Sequence, residues 1–216
     1  MTVSSTLTLP LGLTEDGRSD AIARLRAYFR SVTPTSGFAG SRFERLGGGG
    51  DRPSVAYEFT AEDILALTML SIDVPPLTTL QILGPQRATL SALLRLIRTD
   101  VDFVDVEPAE IGPDWAPWRL WSKLMELDGI GWVTAGKLIA RKRPRLIPIY
   151  DSVVQAEVNP TGSFWIALNH ELRANDHALH KHLISLRDEA GIGDDISPLR
   201  VFDVVTWMTG QHYADT

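Results

Sequence analysis

Residues 124–154 read LMELDGIGWVTAGKLIARKRPRLIPIYDSVV, and no other stretch of the chain has so specific a pattern. It contains the apolar end of one helix, the tight turn Asp128-Gly129-Ile130-Gly131 and a second helical run over 132–140. The first helix begins near Pro117, and the glycine-bearing turn that follows it is short. The spacing therefore predicts a tight helical hairpin over 117–141.

The N-terminus of the second hairpin helix is a candidate phosphate site. Its first amides, around residues 131–134, have no intrahelical partners, and the helix dipole adds partial positive charge there. Gly129 and Gly131 let a phosphate approach the backbone and supply unusual torsions. Lys137 and Arg141 lie further along the same helix and add charge, so the contact would be independent of base sequence. The predicted nucleic-acid-binding residues are Gly129, Ile130, Gly131, Trp132, Thr134, Lys137 and Arg141.

Charge is distributed unevenly along the chain. The formal net charge is −6, but the stretch 119–151 holds seven Lys/Arg and three Asp/Glu, a net of +4, so the remainder carries −10. Such a basic island can mark an interaction face. Alternatively, Arg141, Lys142 and Arg143 form a solvated helix end whose cations suit the C-terminal dipole, and for the triplet alone we favour this interpretation.

Composition excludes several classes of protein. The 216 residues suffice for one large domain or two small ones, and 44% are apolar, as in a globular protein with a core. The absence of cysteine excludes disulfides, thiolate metal sites, iron–sulfur clusters and a cysteine nucleophile. No apolar run is long enough to span a membrane, and the N-terminus lacks the features of a signal peptide. A cytoplasmic protein with no membrane partner is expected.

Helical patterns dominate the rest of the chain. Residues 1–17 show no helical period and are expected to be extended or partly disordered, whereas 18–216 are expected to form one helical domain. We count eight or nine helices, so the fold class is mostly α. A short strand is possible in VDFVDV (101–106). The glycine run 47–50 is expected to be a flexible connection, because no Gly-Lys-Ser/Thr follows it. Thr60 and Asp63 form a predicted capping box.

The central stretch resembles a known superfamily. Residues 124–141 look like a helix-hairpin-helix motif of DNA repair proteins, and the span to Val154 resembles the helix-hairpin-helix DNA glycosylases of the endonuclease III and adenine-glycosylase type. In that superfamily a catalytic aspartate opens the helix after the hairpin, and Asp151, twenty residues after Gly131, stands at the matching position. Val133 replaces the Schiff-base lysine of bifunctional members. The stretch also resembles an uncharacterised actinobacterial family with the same hairpin.

The resemblance implies a fold, an activity and a site. The fold would be a two-lobed helical, DNA-glycosylase-like protein, and the activity a monofunctional N-glycosylase acting on DNA, with no cofactor beyond a monovalent cation. That cation would be held by backbone carbonyls of Met125, Leu127 and Ile130. Asp151 would stabilise an oxocarbenium-like sugar and orient water. Without the resemblance, Asp151 is an ordinary helix N-cap.

A flipped base would need aromatic and polar neighbours. Trp121 and Tyr150 are the predicted stacking residues of a substrate pocket, and Trp115, Trp118 and Trp132 are further candidates. Tryptophans at helical spacing can equally belong to the core. Arg42, beside two aromatic residues, either lines the same pocket or pins a loop to the core.

Three alternatives to a DNA glycosylase stay open. One is a non-catalytic DNA-binding module that keeps the hairpin. The second is an N-glycosidase acting on a small nucleoside or nucleotide-like ligand, which suits the net negative charge. The third is a structural use of the hairpin in a protein–protein contact.

Overall fold

The computed structural model describes residues 5–33 and 35–213, and within those ranges the protein is mostly α, as predicted. Nine α-helices and no β-strand are found there, together with short 3-10 turns. No helix of the described ranges is both long enough and apolar enough to cross a membrane. The helices are α1 (Arg18–Phe29), α2 (Ala61–Thr68), α3 (Pro76–Leu83), α4 (Arg87–Arg95), α5 (Ala116–Met125), α6 (Trp132–Lys142), α7 (Ser152–Val158), α8 (Phe164–Ala190) and α9 (Pro198–Gly210).

The chain divides into two compact units. Unit 1 takes in the described residues of Met1–Phe38, Asp102–Ala109 and Tyr150–Thr216. Unit 2 takes in Ala39–Val101 and Glu110–Ile149. Each unit is therefore built from stretches that are not continuous in the sequence.

Unit 1 packs α1, α7 and α8 against the buried helix α9. Ser197 caps α9 by accepting a hydrogen bond from the amide of Arg200 at 3.1 Å, and Pro198 occupies its first turn. Arg200 donates to the hydroxyl of Tyr28 at 2.9 Å, which joins α9 to α1, and forms a buried ion pair with Asp203 one turn further along α9. The core of unit 1 therefore contains a buried charge pair.

Unit 2 contains α2 to α6, with α5 packed on both α4 and α6. The capping box predicted at the start of α2 is confirmed. The Thr60 amide donates to Asp63 Oδ2 at 2.9 Å, and the Asp63 amide donates to Thr60 Oγ1 at 3.4 Å. Asp63 is fully buried, which is unusual for an aspartate that caps a helix. Its carboxylate therefore has a further role, which involves α6.

Two local predictions differ from the structure. Residues 1–4 lie outside the described ranges and residues 5–10 contain no helix, as predicted for an extended segment, but Leu11–Leu13 and Glu15–Gly17 form 3-10 turns. In the segment predicted as a short strand, Phe103–Asp105 forms another such turn. The side-chain Nδ2 of Asn169, on α8, donates to the backbone carbonyls of Phe103 and Val106. These carbonyls therefore have a hydrogen-bond partner without a neighbouring β-strand.

Candidate functional site

The turn between α5 and α6 is held by the start of α3. Gly129 has a φ of +72°, and a Cβ on it would lie 2.5 Å from Pro75 Cγ, so glycine is required there. The hydroxyl of Thr78 donates to the Asp128 carbonyl at 2.6 Å. Ile130 is buried, and its amide donates to the Leu127 carbonyl at 3.1 Å. These contacts fix the backbone that leads into α6.

Gly131 caps α6 in ordinary extended geometry, with φ −89° and ψ 176°. The unusual torsion expected at both glycines therefore occurs only at Gly129. No side chain caps α6, and no acidic residue lies in its first turn. A Cβ on Gly131 would meet no atom within 4 Å, so there is open space beside this residue. Trp132, the first residue of α6, is 36% exposed beside that space.

The side chains predicted to help at this helix end do not face solvent. Thr134 is 7% exposed and Lys137 5%. Arg141 is fully buried, and its Nε donates to Asp63 Oδ1 at 3.2 Å. Its Nη atoms donate to the carbonyls of Phe43, Glu44 and Leu46. The prediction that Arg141 binds phosphate is therefore wrong, because its guanidinium is enclosed by unit 2.

Lys142 and Arg143 are buried as well. The Lys142 Nζ atom donates to the Gly50 carbonyl and to Asp63 Oδ2, each at 2.7 Å. Burial lowers the pKa of Lys142 below the ordinary lysine value, and the charge of Asp63 opposes that shift. Arg143 donates to the carbonyls of Ala56, Leu94, Ile97 and Lys142. Burial also lowers the pKa of Arg143.

We call Arg141, Lys142 and Arg143, with Asp63, the basic clamp. Arg141 and Lys142 share the carboxylate of Asp63, whereas Arg143 donates to backbone carbonyls. Carbonyl oxygens of residues 43–56 supply most of the other acceptors of the three cations. The interpretation of the triplet as a solvated helix end is therefore wrong. The triplet is also not part of an exposed basic surface that could bind a partner. It holds the loop of residues 43–56, which is remote in the sequence, by hydrogen bonds inside unit 2.

The glycine run 47–50 packs against the basic clamp and is not a flexible connection. Gly47, Gly48 and Gly49 all have positive φ values. A Cβ on Gly50 would lie 2.5 Å from the Arg141 carbonyl and 2.7 Å from Asp63 Oδ1. Only a residue without a side chain allows the loop to approach the clamp so closely.

Asp151 begins α7 in unit 1, and its N-cap role is confirmed. Its Oδ1 atom accepts hydrogen bonds from the amides of Val153 and Val154, both at 3.1 Å. The side chain is half-buried. These two bonds fix the orientation of the carboxylate.

Tyr150 precedes Asp151 and stacks on Phe164, with ring centroids 3.8 Å apart and planes 7° from parallel. Burial raises the pKa of Tyr150, and a hydrogen bond with Gln155 opposes that rise. One face of the ring is therefore covered by Phe164. Of the predicted pocket residues, Tyr150 is the one that unit 1 brings next to Asp151.

The other two predicted pocket residues belong to unit 2. Trp121 is half-buried on α5, and its Nε1 donates to the Trp132 carbonyl at 3.2 Å, so it lies at the start of α6. Arg42 ends the 3-10 turn Ala39–Arg42 with an exposed side chain. The loop beside it is pinned to the core by the buried ring of Phe43.

The basic clamp is the feature that sequence reasoning missed. Asp63 was predicted only as a cap, although the four residues that follow it, 64–67, are all apolar. That combination is the signal that could have indicated a buried charge, because an aspartate inside a core needs a cationic partner.

Comparison with known proteins assigns the chain to a family. The model of a family described as Family of unknown function (DUF6308) matches residues 21–210. The match covers most of the chain, so the protein belongs to that family. No curated protein and no solved structure matches the chain.

Proposed function

We propose that this member of DUF6308 is a helix-hairpin-helix protein of the two-lobed glycosylase type, which binds DNA and hydrolyses an N-glycosidic bond. The observation that carries the proposal is the N-terminus of α6, which no side chain caps and where a Cβ on Gly131 would meet no atom within 4 Å. A phosphate fits such an end because free amides and the helix dipole both attract an anion.

Phosphate binding in this proposal depends on the backbone. Arg141 is engaged in the basic clamp, and Lys137 is buried, so neither supplies a mobile cation to the helix end. The backbone carbonyls of Met125, Leu127 and Ile130 would bind a monovalent cation beside the turn. That ion would offset the charge of Asp128, which is exposed in the same turn. Contacts of this kind position a nucleic acid without reading its bases.

Asp151 is the proposed catalytic residue. Breaking the bond between C1′ and the base nitrogen leaves positive charge on the sugar, and a nearby carboxylate stabilises that charge. Water then supplies hydroxide to C1′, and its proton goes to the departing base. The two amides that hold Oδ1 keep the carboxylate from rotating as the charge develops. Val133 stands in place of a Schiff-base lysine, so the reaction ends at hydrolysis, as suits a monofunctional DNA repair enzyme.

One observation favours a second candidate, an N-glycosidase for a small nucleoside. The basic triplet lies inside unit 2, so the surface of the protein is more acidic than its net charge of −6 suggests. An acidic surface repels a polyanionic duplex, but it affects an uncharged nucleoside little.

A base-release assay tests both candidates. Duplexes with modified bases and free nucleosides are incubated with the protein, and released base is measured by chromatography. Asp151→Asn should abolish release while keeping the cap, because asparagine is an equally good N-cap residue. Ser163→Ala is the matched control, since Ser163 caps α8 in the same unit and is expected to leave release unchanged.

The outcomes separate the hypotheses. Release that survives in Asp151→Asn would remove Asp151 from the mechanism. Release from nucleosides but not from duplexes would select the second candidate. Duplex binding without any release would leave a non-catalytic DNA-binding module.

A further inference from the structure

Helix α8, in unit 1, is interrupted near its middle. Ala174 leaves helical geometry with a ψ of 153°, and the next three residues, Asn175, Asp176 and His177, have φ values of 50°, 56° and 62°. None of these three is a glycine. Asparagine and aspartate adopt left-handed torsions more readily than other residues with a side chain, but as single residues and not in succession. The break therefore stores strain in the backbone.

The apolar pattern of α8 nevertheless runs through the break without a change of phase. Its buried leucines are separated by four, seven, four and three residues, and they are Leu168, Leu172, Leu179, Leu183 and Leu186. At 3.6 residues per turn, a continuous helix would place all five within a sector of roughly 60°. The same sequence therefore also suits one straight helix.

The first half of α8, residues 164–173, is held by a 3-10 turn from earlier in the chain. Asn169 donates to the carbonyls of Phe103 and Val106. Arg173 donates to the carbonyls of Val104 and Val106. None of these bonds involves a residue after the break.

The second half of α8 is held by α1. Arg18 donates to Ser185 Oγ at 2.7 Å and pairs with Glu189 at 2.8 Å. Arg26 donates to the Glu189 carbonyl at 2.8 Å. Helix α9, which follows, packs on α7 and α1. We call the second half of α8 together with α9, residues 178–210, the C-terminal arm.

We infer that the break in α8 is a hinge at which two copies of this chain exchange their C-terminal arms. In the exchanged dimer α8 is one straight helix, and the arm of each copy packs on α1 and α7 of the other. The contacts of the arm with these helices are formed again, whereas the left-handed torsions disappear. Short hinges under strain favour exchange for this reason. The inference does not depend on the proposed DNA binding or on Asp151.

One interaction at the hinge opposes the exchange. Asp176 pairs with Lys181 at 2.5 Å, and a straight helix would turn these two side chains, five residues apart, to different faces. Both side chains are exposed to solvent, so their pair contributes little to the stability of the bent form. The relief of three left-handed residues should therefore outweigh its loss.

The mass of the wild-type protein is the first test. The protein is refolded from urea at low and at high micromolar concentration and analysed by size-exclusion chromatography with light scattering. We expect a monomer at low concentration and a dimer whose fraction grows with concentration, because exchange joins two copies. A monomer at every concentration would overturn the inference.

Two triple variants distinguish a hinge from an ordinary surface dimer. One carries Asn175→Ala, Asp176→Ala and His177→Ala, and the other carries glycine at the same three positions. Both lose the same side chains and the pair with Lys181, so they differ only in their Cβ atoms. Alanine suits a straight helix, whereas glycine adopts left-handed torsions without strain.

We expect the dimerisation constant of the alanine variant to exceed that of the glycine variant by about 100-fold or more. Circular dichroism confirms that both variants are folded. Equal dimerisation constants in the two variants would show that the backbone of the break does not control association, and would overturn the inference.

A cysteine pair identifies the copy that supplies the arm, since the chain itself contains no cysteine. A Cβ on Gly12, which precedes α1, would lie 2.9 Å from Cγ1 of Val205 on α9, close enough for a disulfide between cysteines at the two positions. Gly12→Cys and Val205→Cys are made in separate chains, which are refolded together at high concentration and oxidised. We expect a disulfide-linked heterodimer on a non-reducing gel.

The control for this experiment is one chain with both substitutions, refolded at low concentration, which should form the disulfide within itself. A disulfide inside that control but none between the mixed chains would mean that each copy keeps its own arm. That result would overturn the inference even if the wild-type protein were a dimer.

Discussion

The Nζ atom of Lys142 lies 2.7 Å from Oδ2 of Asp63, and neither side chain is exposed to solvent. The other oxygen of Asp63 accepts from Arg141 at 3.2 Å. One carboxylate thus serves two buried cations at the end of α6 while it also caps α2. The stability of unit 2 should depend on this carboxylate more than on any surface ion pair.

Asp63→Asn should lower the free energy of unfolding by about 3–5 kcal/mol, because it leaves two buried cations without their shared anion. Urea denaturation followed by circular dichroism measures this. Glu62→Gln is the neighbouring control, since the Glu62 side chain is 46% exposed in its pair with Arg52 and should contribute less than about 1 kcal/mol. Similar losses in the two variants would contradict the role of the clamp.

Stability should rise with pH through Lys142. Its pKa is lower in the folded protein than in the unfolded chain, so between the two values the unfolded chain binds more protons. The free energy of unfolding therefore increases across that window, up to about pH 10, where the unfolded lysine also loses its proton. Lys142→Met should remove this increase. Urea unfolding of both proteins at steps from pH 7 to pH 10 measures it, and an identical slope in the variant would exclude Lys142 as its source.

The two hairpin glycines should respond oppositely to valine. Gly131→Val should cost less than about 1 kcal/mol of stability, because its torsions are ordinary and its Cβ points into open space, but it should abolish phosphate-dependent binding. Gly129→Val should cost more than about 2 kcal/mol, because φ is +72° and Pro75 lies 2.5 Å away. Thermal melts and anisotropy with a labelled oligonucleotide measure both effects. Unchanged affinity in a folded Gly131→Val protein would show that binding occurs elsewhere.

Salt should weaken DNA binding only gently. Affinity falls with salt according to the number of phosphates that cationic groups neutralise, and the densest cationic cluster of this chain is buried. We expect the slope of log K against log salt concentration to be no steeper than about −2. Anisotropy titrations from low to moderate salt give the slope. A value of about −4 or steeper would require a basic surface other than the triplet.

The parts of the fold that sequence could predict are those set by local chemistry. The capping box of Thr60 and Asp63, the N-cap at Asp151 and the start of α9 at Ser197 all follow from side chains that bond to amides two or three residues away. The two helices of the hairpin and its glycine turn follow from apolar spacing in the same way. At the candidate site, the N-terminus of α6 at Gly131 belongs to this predictable part.

The basic clamp could not be predicted, because its partners are remote and carry no signal. Arg141 donates to carbonyls of residues 95 to 98 positions earlier, and every residue type has a carbonyl. The local charge pattern predicted that the triplet Arg141, Lys142 and Arg143 lies on the surface. The triplet is buried because the loop that contains the glycine run folds over the end of α6. Whether a cation is a ligand for DNA or for the backbone is therefore settled only by tertiary structure.

The division of the chain has a consequence for biosynthesis. Unit 2 is complete once residue 149 has been made, whereas α1 of unit 1 packs on α8 and α9, which come from the end of the chain. During translation, the basic clamp can close while the N-terminal helix still lacks both partners. We therefore expect nascent chains stalled before α8 to contain a folded unit 2 and an α1 that is open to proteases and chaperones.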